Sequence, residues 1–153
     1  MSSCKLCWTL TFVLAIAVAA FAYKFTVGEV RPSEDGRSAV VLTKDERNAL
    51  LQEMRTWLES SQRILAAAAR DDFGEVIKAA RASGMVAEAE TPASLFRKIP
   101  LEMKTLGFDT RRKFDDIAAE AEKSKDSNRV VTQLSVAMGN CIACHATYRF
   151  VEN

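Results

Sequence analysis

Five residues near the end of the chain, Cys141-Ile142-Ala143-Cys144-His145, constrain the fold more than any other stretch. Two thiols three positions apart, followed directly by an imidazole, form the C-x-x-C-H pattern of c-type haem attachment. Each cysteine can form a thioether to one vinyl group of a haem, and the histidine then lies beneath the iron as its proximal ligand. His145 is the single histidine of the chain. The motif predicts one haem c, bound covalently through Cys141 and Cys144, in a core that the haem enlarges.

Two other interpretations of the cysteine pair fit less well. A thioredoxin-like dithiol belongs to a βαβ context, and the residues around the motif show no strand pattern. A zinc site needs two further Cys or His ligands at finger-like spacing. The other cysteines, Cys4 and Cys7, precede an apolar segment and are expected on the far side of a membrane. Covalent haem is therefore the favoured interpretation.

An apolar run from Leu6 to Tyr23, with a lysine on either side, directs the chain to a membrane. Its length is near the lower limit for a spanning helix, whereas Ala20-Phe21-Ala22 resembles a signal-peptide cleavage site. Residues 1–23 are interpreted as a signal peptide or a membrane anchor, and the length of the run favours the anchor. Either interpretation sends the rest of the chain out of the cytoplasm.

The remaining residues divide into a linker and a helical domain. Residues 24–42 contain glycine, proline and small polar residues, which predict a linker. Thr43 and Glu46 form a capping box, so a helix should begin at Lys44. Four amphipathic helices are predicted, from Lys44 to near Asp71, from there to Gly84, and over residues 101–124 and 129–150. The apolar residues expected to face the core include Ile64, Val76, Ile117 and Val130.

The predicted fold class is all-α, an antiparallel four-helix bundle with the haem motif on its last helix, because short connections join amphipathic helices. Net charge is +1 with both signs evenly mixed, so the sequence does not indicate nucleic-acid binding. Activated nucleophiles and paired carboxylates with suitable spacing are not recognisable in the sequence. The chain is therefore not expected to be an enzyme.

The chain resembles the cytochrome c′ family, and within it the membrane-directed or secreted members whose iron carries a methionine. The resemblance covers about residues 43–150. It rests on four helices and on the haem motif near the end of the last, followed by Tyr148 and Arg149, where the family often has an aromatic and a basic residue. It implies that residues 43–153 form a haem domain in a bacterial periplasm. The protein would be anchored to the inner membrane by residues 6–23 or secreted after cleavage.

The resemblance implies an electron carrier or a haem protein that binds small gases, and the sixth iron ligand distinguishes the two. Met54 lies on the apolar stripe of the first domain helix, where the resembling family places its distal residue. Met138 shares a helix with His145 and lies about 10 Å from it along the axis, too far to reach the opposite haem face. Met103 is a poorer match. Met54 is the predicted distal ligand, and Met/His ligation suits electron transfer; an open distal site would instead bind NO or CO.

Three more side chains are assigned to the surroundings of the haem. Arg149 lies one helical turn beyond His145 and can approach a haem propionate or a donor protein. The alternative is an ordinary solvent-exposed arginine. Tyr148 and Trp57 are interpreted as aromatic residues that pack on the haem. The expected partners are redox proteins, the membrane if the N-terminal segment is uncleaved, and, by resemblance, a second copy in a homodimer.

Overall fold

Helices account for most of the chain, and a small sheet accompanies them. The computed structural model describes residues 2–86 and 92–153. In chain order the elements are α1 (Ser2–Val27), β1 (Val30–Pro32), β2 (Ser38–Leu42), α2 (Lys44–Ala68), α3 (Phe73–Arg81), α4 (Ala93–Lys98), α5 (Leu101–Ser124), α6 (Ser127–Thr147) and β3 (Tyr148–Glu152).

Helix α1 is apolar on all sides. Its Lys5–Val27 window has a mean hydropathy of 2.1 and is 0% buried. By length and composition this helix can cross a membrane, and a signal sequence near the N-terminus has the same character. A helix that is apolar all round belongs in a protein core or a bilayer. Because α1 is not buried, it is not a core helix.

The predicted capping box opens α2. Thr43 Oγ1 accepts from the Glu46 amide at 3.3 Å, and Glu46 Oε2 accepts from the Thr43 amide at 2.8 Å. The helix therefore begins at Lys44 as predicted. Its end is sharp because Asp71 adopts the left-handed conformation, with φ of 55°. Asp72 then caps α3. The sequence pattern instead predicts that Asp72 lies within the first turn of that helix.

Helices α2, α3, α5 and α6 share one apolar core. Ile64, Val76, Ile117 and Val130, one from each helix, have no exposed area, as their spacing predicted. Burying a side chain of this size stabilises the fold by roughly 1.5–3 kcal/mol. Much of the remaining core is alanine, which lets the helix backbones approach closely.

The sheet lies at the other end of the domain and corrects two sequence expectations, that residues 24–42 form a linker and that no strand lies near the cysteine–histidine motif. Strand β1 pairs antiparallel with β2, and β2 pairs parallel with β3, with Val40 opposite Phe150. Val40 and Leu42 are fully buried. Residues 24–42 were expected to form a linker, but the part that contains β1 and β2 is a structural portion of the domain. Its apolar side chains belong to a second core cluster with Leu50, Leu95, Ile99, Met103 and Tyr148.

The last two helices agree with the sequence except at the ends of α6. Helix α5 covers residues 101–124 as predicted. Helix α6 is capped by Asp126, whose Oδ1 accepts from the amides of Asn128 at 2.9 Å and Arg129 at 3.2 Å. The sequence suggests Ser127 or Asn128 as the cap. The helix ends at Thr147 instead of continuing to residue 150, because the next five residues pair with β2.

Candidate functional site

An apolar cavity of about 550 Å³ lies among α2, α4, α5 and α6. This volume is within the range of cofactor and ligand sites, which are mostly apolar with a few polar groups. The residues that line it include Met54 and Trp57 from α2, Phe96 from α4, Met103, Phe108 and Arg111 from α5, and Met138, Cys141, Cys144 and His145 from α6.

The last two turns of α6 bring the whole cysteine-histidine motif to this cavity. Residues three and four apart lie on one helix face, so Cys141, Cys144 and His145 all line the same wall. Both cysteines are half-buried, whereas His145 is exposed at the rim. A C-x-x-C-H motif can hold a haem only if both cysteines and the histidine face one cavity, and these three side chains do.

Burial makes both thiols weak acids. It raises the pKa of Cys141 above its ordinary value. The pKa of Cys144 rises to about 11, chiefly through burial and also through the nearby Cys141 and Glu102. Reactive dithiols have lowered pKa values. The thiols are therefore protonated at neutral pH, which is opposite to the behaviour of a thioredoxin-like pair.

A second cavity of about 260 Å³ adjoins the first and is basic. Leu51, Met54, Cys144 and His145 line both cavities. The second also contains three arginine side chains, those of Arg37, Arg47 and Arg149. The two cavities together provide an apolar chamber with a cationic edge.

The residues that line the two cavities are of the types that a covalently bound haem would need. Two protonated thiols and an imidazole line an apolar chamber that suits the porphyrin. Guanidinium groups at its edge suit the two carboxylates of a haem. Within residues 2–86 and 92–153, three or more His, Cys, Asp or Glu side chains are nowhere grouped to hold a metal ion.

Three methionines border the first cavity, and their positions differ. Met54 on α2 is half-buried and lines both cavities beside His145. Met103 on α5 is 7% exposed and packs in the second core cluster. Met138 on α6 is 46% exposed and lies two helical turns before His145. Met103 is thus part of the core, and Met138 shares a helix with the imidazole. Met54 has neither restriction.

Arg37 fastens the turn before β2 to the end of α6, an interaction that the sequence did not reveal. Its Nη1 donates to the carbonyl oxygens of His145 at 3.1 Å and Tyr148 at 3.4 Å. Asp35 accepts from Arg37 Nε at 3.0 Å and Nη2 at 2.7 Å. These bonds hold the pKa of Asp35 well below its usual range. A cation thus stabilises carbonyl groups at the C-terminal end of the helix that carries His145.

Arg149 lies at the same turn. Its Nη1 donates to Ser33 Oγ and to Asp35 Oδ2, both at 3.2 Å, and its side chain is 41% exposed. It is therefore a partly exposed arginine with a carboxylate partner, and it lines the basic cavity. Tyr148 is buried, and its hydroxyl donates to Glu102 Oε2 at 2.7 Å. Burial and that bond raise the pKa of Tyr148.

An ion pair between a buried arginine and a partly exposed glutamate forms part of the first cavity's wall. Arg111 is 3% exposed and pairs with Glu53, and its Nη1 donates to the Gly84 carbonyl at 3.3 Å. The Arg111 guanidinium carbon lies 5.5 Å from the centre of the Trp57 ring. Trp57 therefore contacts both the cavity and this cation. The sequence pattern does not indicate the pair, because charged residues on amphipathic helices usually face solvent.

Comparison with known proteins found no relative: no family model, curated protein or solved structure matches the chain. Fold alone does not establish function, which depends on the geometry and chemistry of particular side chains. The function proposed below is accordingly argued from the two cavities and the residues that line them.

Proposed function

We propose that the protein is a monohaem c-type cytochrome of the cytochrome c′ type, a four-helix bundle that carries electrons in the periplasm. The observation that carries this proposal is that Cys141, Cys144 and His145 share the wall of a 550 Å³ apolar cavity. The cysteines would hold haem c through two thioethers, and His145 would be its proximal ligand. When bound, the haem supplies one-electron exchange at its iron.

The surrounding residues support an electron carrier. The lining of the first cavity is mostly apolar. Arg37 fixes the backbone of His145 through its carbonyl. Arg47 and Arg149 are placed at the basic edge, where guanidinium groups would pair with haem propionates. Met54, which borders both cavities, is the proposed distal ligand, and a thioether opposite an imidazole raises the reduction potential.

A five-coordinate haem that binds NO or CO is the second candidate function. Met54 is only half-buried on an adaptable side chain, and the cavity beside it is large. A Met54 thioether that does not bind the iron would leave the distal side open to a gas molecule. Absorption spectra of the reduced protein with and without CO distinguish the two coordination states.

Covalent attachment is tested by the mass of the mature protein. The chain is produced in a host that matures c-type cytochromes, and its intact mass and a haem-stained denaturing gel are recorded. We expect a haem stain and a mass that exceeds the polypeptide by one haem. A Cys141→Ala, Cys144→Ala variant serves as the matched control and should lack both. A mature wild-type protein that weighs only as much as its amino acids would overturn the proposal.

A further inference from the structure

Backbone hydrogen bonds fix the connection between the end of α1 and the domain. The Gly28 amide donates to the Lys24 carbonyl at 2.9 Å, and the Glu29 amide donates to the Lys98 carbonyl at 2.8 Å. Gly28 has φ of 71°, and a Cβ at this position would lie 2.4 Å from the Lys98 carbonyl oxygen. Only glycine fits here. The chain therefore passes from α1 into the domain through a fixed turn.

Lys104 binds the last turn of α1. It is 5% exposed, and its Nζ donates to the Phe25 carbonyl oxygen at 3.0 Å. The final carbonyl groups of a helix have no partner within the helix, and a cation is favourable at that end. The same ammonium lies 3.8 Å from the centre of the Phe25 ring and 4.8 Å from that of Phe96, both within the range of cation–π attraction.

We propose that α1 is retained in the mature protein as a membrane anchor. Lys104 fixes its last turn to the domain, so that the junction of α4 and α5 lies directly on the lipid bilayer. The large apolar side chains of α1 from Leu6 to Tyr23 are exposed, and lipid is the environment that covers such a helix. The elements that contact its last turn must then lie at the membrane surface.

Cleavage after Ala22 would keep Phe25 on the chain but would remove the helix that holds Phe25 against Lys104. It would leave residues 23–27 of the helix, about one turn, which is far too short to remain helical alone. The 2.8 Å hydrogen bond from Thr26 Oγ1 to the Ala22 carbonyl oxygen would be lost, because Ala22 is on the removed segment. A buried ammonium without its helical partner is costly. The domain thus has a binding site for the last turn of α1, and cleavage by a signal peptidase would destroy that turn.

The surface of the α4–α5 junction suits a bilayer with anionic headgroups. Arg97 in the last turn of α4 is exposed, and Leu101 at the start of α5 is 40% exposed. Basic and apolar side chains together favour the interface of such a membrane. Phe96 and Lys104 also line the first cavity. Whatever this cavity holds is therefore one layer of side chains from the membrane.

Lipid cross-linking tests this arrangement. The full-length mature protein is reconstituted in vesicles of phosphatidylethanolamine and phosphatidylglycerol that contain a photoactivatable phospholipid, and intact mass and cross-linked peptides are measured. We expect residues 5–27 to be present and lipid adducts to occur on residues 93–104 but not on α3. A mature chain that begins at Tyr23, or adducts spread evenly over the domain, would overturn the proposal.

The role of Lys104 is tested by Lys104→Met, with Lys78→Met on α3 as the matched control. Loss of the ammonium should speed amide exchange at residues 24–28 roughly tenfold and spread the lipid adducts to other faces of the domain. Unchanged exchange in Lys104→Met contradicts the clamp. The wild-type adduct map decides the membrane contact even if this variant folds poorly.

Haem content is measured on the same samples, which separates this inference from the proposed function. A chain without haem that keeps the adduct pattern on residues 93–104 supports the anchor and contradicts the cytochrome. A haem-loaded chain that lacks α1 supports the cytochrome and contradicts the anchor.

Discussion

The ionisation of two cysteine thiols limits the chemistry that the site can perform. With a pKa of about 11, Cys144 carries almost no thiolate at neutral pH. Thiolate is the species that attacks disulfides and binds metals. Cys141 is shifted in the same direction by its own burial. The pair is therefore poorly suited to dithiol redox exchange, whereas a thioether bond does not need a stable thiolate in the folded protein.

Alkylation of the chain before haem is attached tests this ionisation. A pKa two units above the ordinary value lowers the thiolate fraction at pH 8, so folded Cys144 should react with iodoacetamide about a hundredfold more slowly than in the urea-unfolded chain. Its rate should climb until the pH approaches about 11. Mass spectrometry of the labelled peptide gives the rate. Rapid labelling of folded Cys144 at pH 8 is the contrary result.

Met54 provides the second prediction at the level of single residues. In Met54→Ala the distal thioether is gone, so the reduced protein should bind CO stoichiometrically at neutral pH, while the wild type should not. The midpoint potential should also fall, because a methionine ligand raises it. Met103→Leu and Met138→Leu remove the other two cavity methionines and should leave both readouts unchanged. Ready CO binding by the wild type would exclude Met54 as a tight ligand.

Among the secondary-structure elements, the β1–β2 turn supports the helix that carries the motif. Arg37→Gln removes the cation that binds the His145 and Tyr148 carbonyl groups. We expect the free energy of unfolding to fall by about 1 kcal/mol, less than is usual for hydrogen bonds to charged groups, because the side chain is 35% exposed. In the proposed haem-loaded protein the midpoint potential should also fall, because the positive charge of Arg37 near His145 favours the reduced iron and is absent from the variant. Urea unfolding and redox titration measure the two effects.

Arg31→Gln is the matched control for that experiment. Arg31 is exposed on β1 and carries the same charge. Its removal should change neither quantity by as much. Equal effects in the two variants would show that general charge, and not the contact with α6, is responsible.

A polar cluster joins α5 to α6 and gives the domain a pH dependence. Asp109 pairs with Lys113 and accepts from Asn140 Nδ2 at 2.8 Å, and these partners lower the pKa of Asp109 to about 2. A carboxyl whose pKa is lower in the folded state stabilises the fold above its ordinary pKa, near 4. That contribution is lost as the pH falls towards 2.

Asp109→Asn should therefore destabilise the domain by about 0.5–1 kcal/mol at pH 6, a modest value because the site is partly exposed. The difference in the free energy of unfolding between variant and wild type should shrink between pH 4 and pH 2. In that range Asp109 of the wild type becomes protonated and loses the charge that Asn lacks at every pH. Urea unfolding at several pH values provides the comparison. Asp116→Asn, an acid on the same helix, controls for the change in net charge. A difference that is constant with pH would contradict the assignment.

At the scale of the whole molecule, the features that could be predicted are local ones. The capping box at Thr43 and the bounds of α5 follow from residues within one or two helical turns. Met54, the cysteine pair and His145 line one cavity, whereas the sequence suggested Met54 through its apolar stripe and through the family resemblance, and its role as an iron ligand stays a prediction. The haem itself stays a prediction, since its evidence is the chemistry of the site.

The features that could not be predicted depend on distant residues. Strand β2 pairs with β3 through Ser38 and Tyr148, which are separated by more than 100 positions. A parallel pair leaves no local turn signal in the sequence, so the helical pattern of α6 predicts a helix that continues into β3. Arg37 and the Arg111–Glu53 pair escape prediction for the same reason. Their roles come from tertiary contacts, and their residue types are common on helix and loop surfaces.

The parallel pairing of β2 with β3 also bears on the timing of assembly. Strand β3 follows α1 to α6 along the chain, so the sheet cannot be completed until those helices have been synthesised. Contacts between residues so distant in sequence form slowly. Until these contacts form, the end of α6 that bears the two thiols is not yet held beside β1 and β2. If haem is attached as proposed, this order of elements leaves an interval in which both cysteines are accessible to a maturation enzyme.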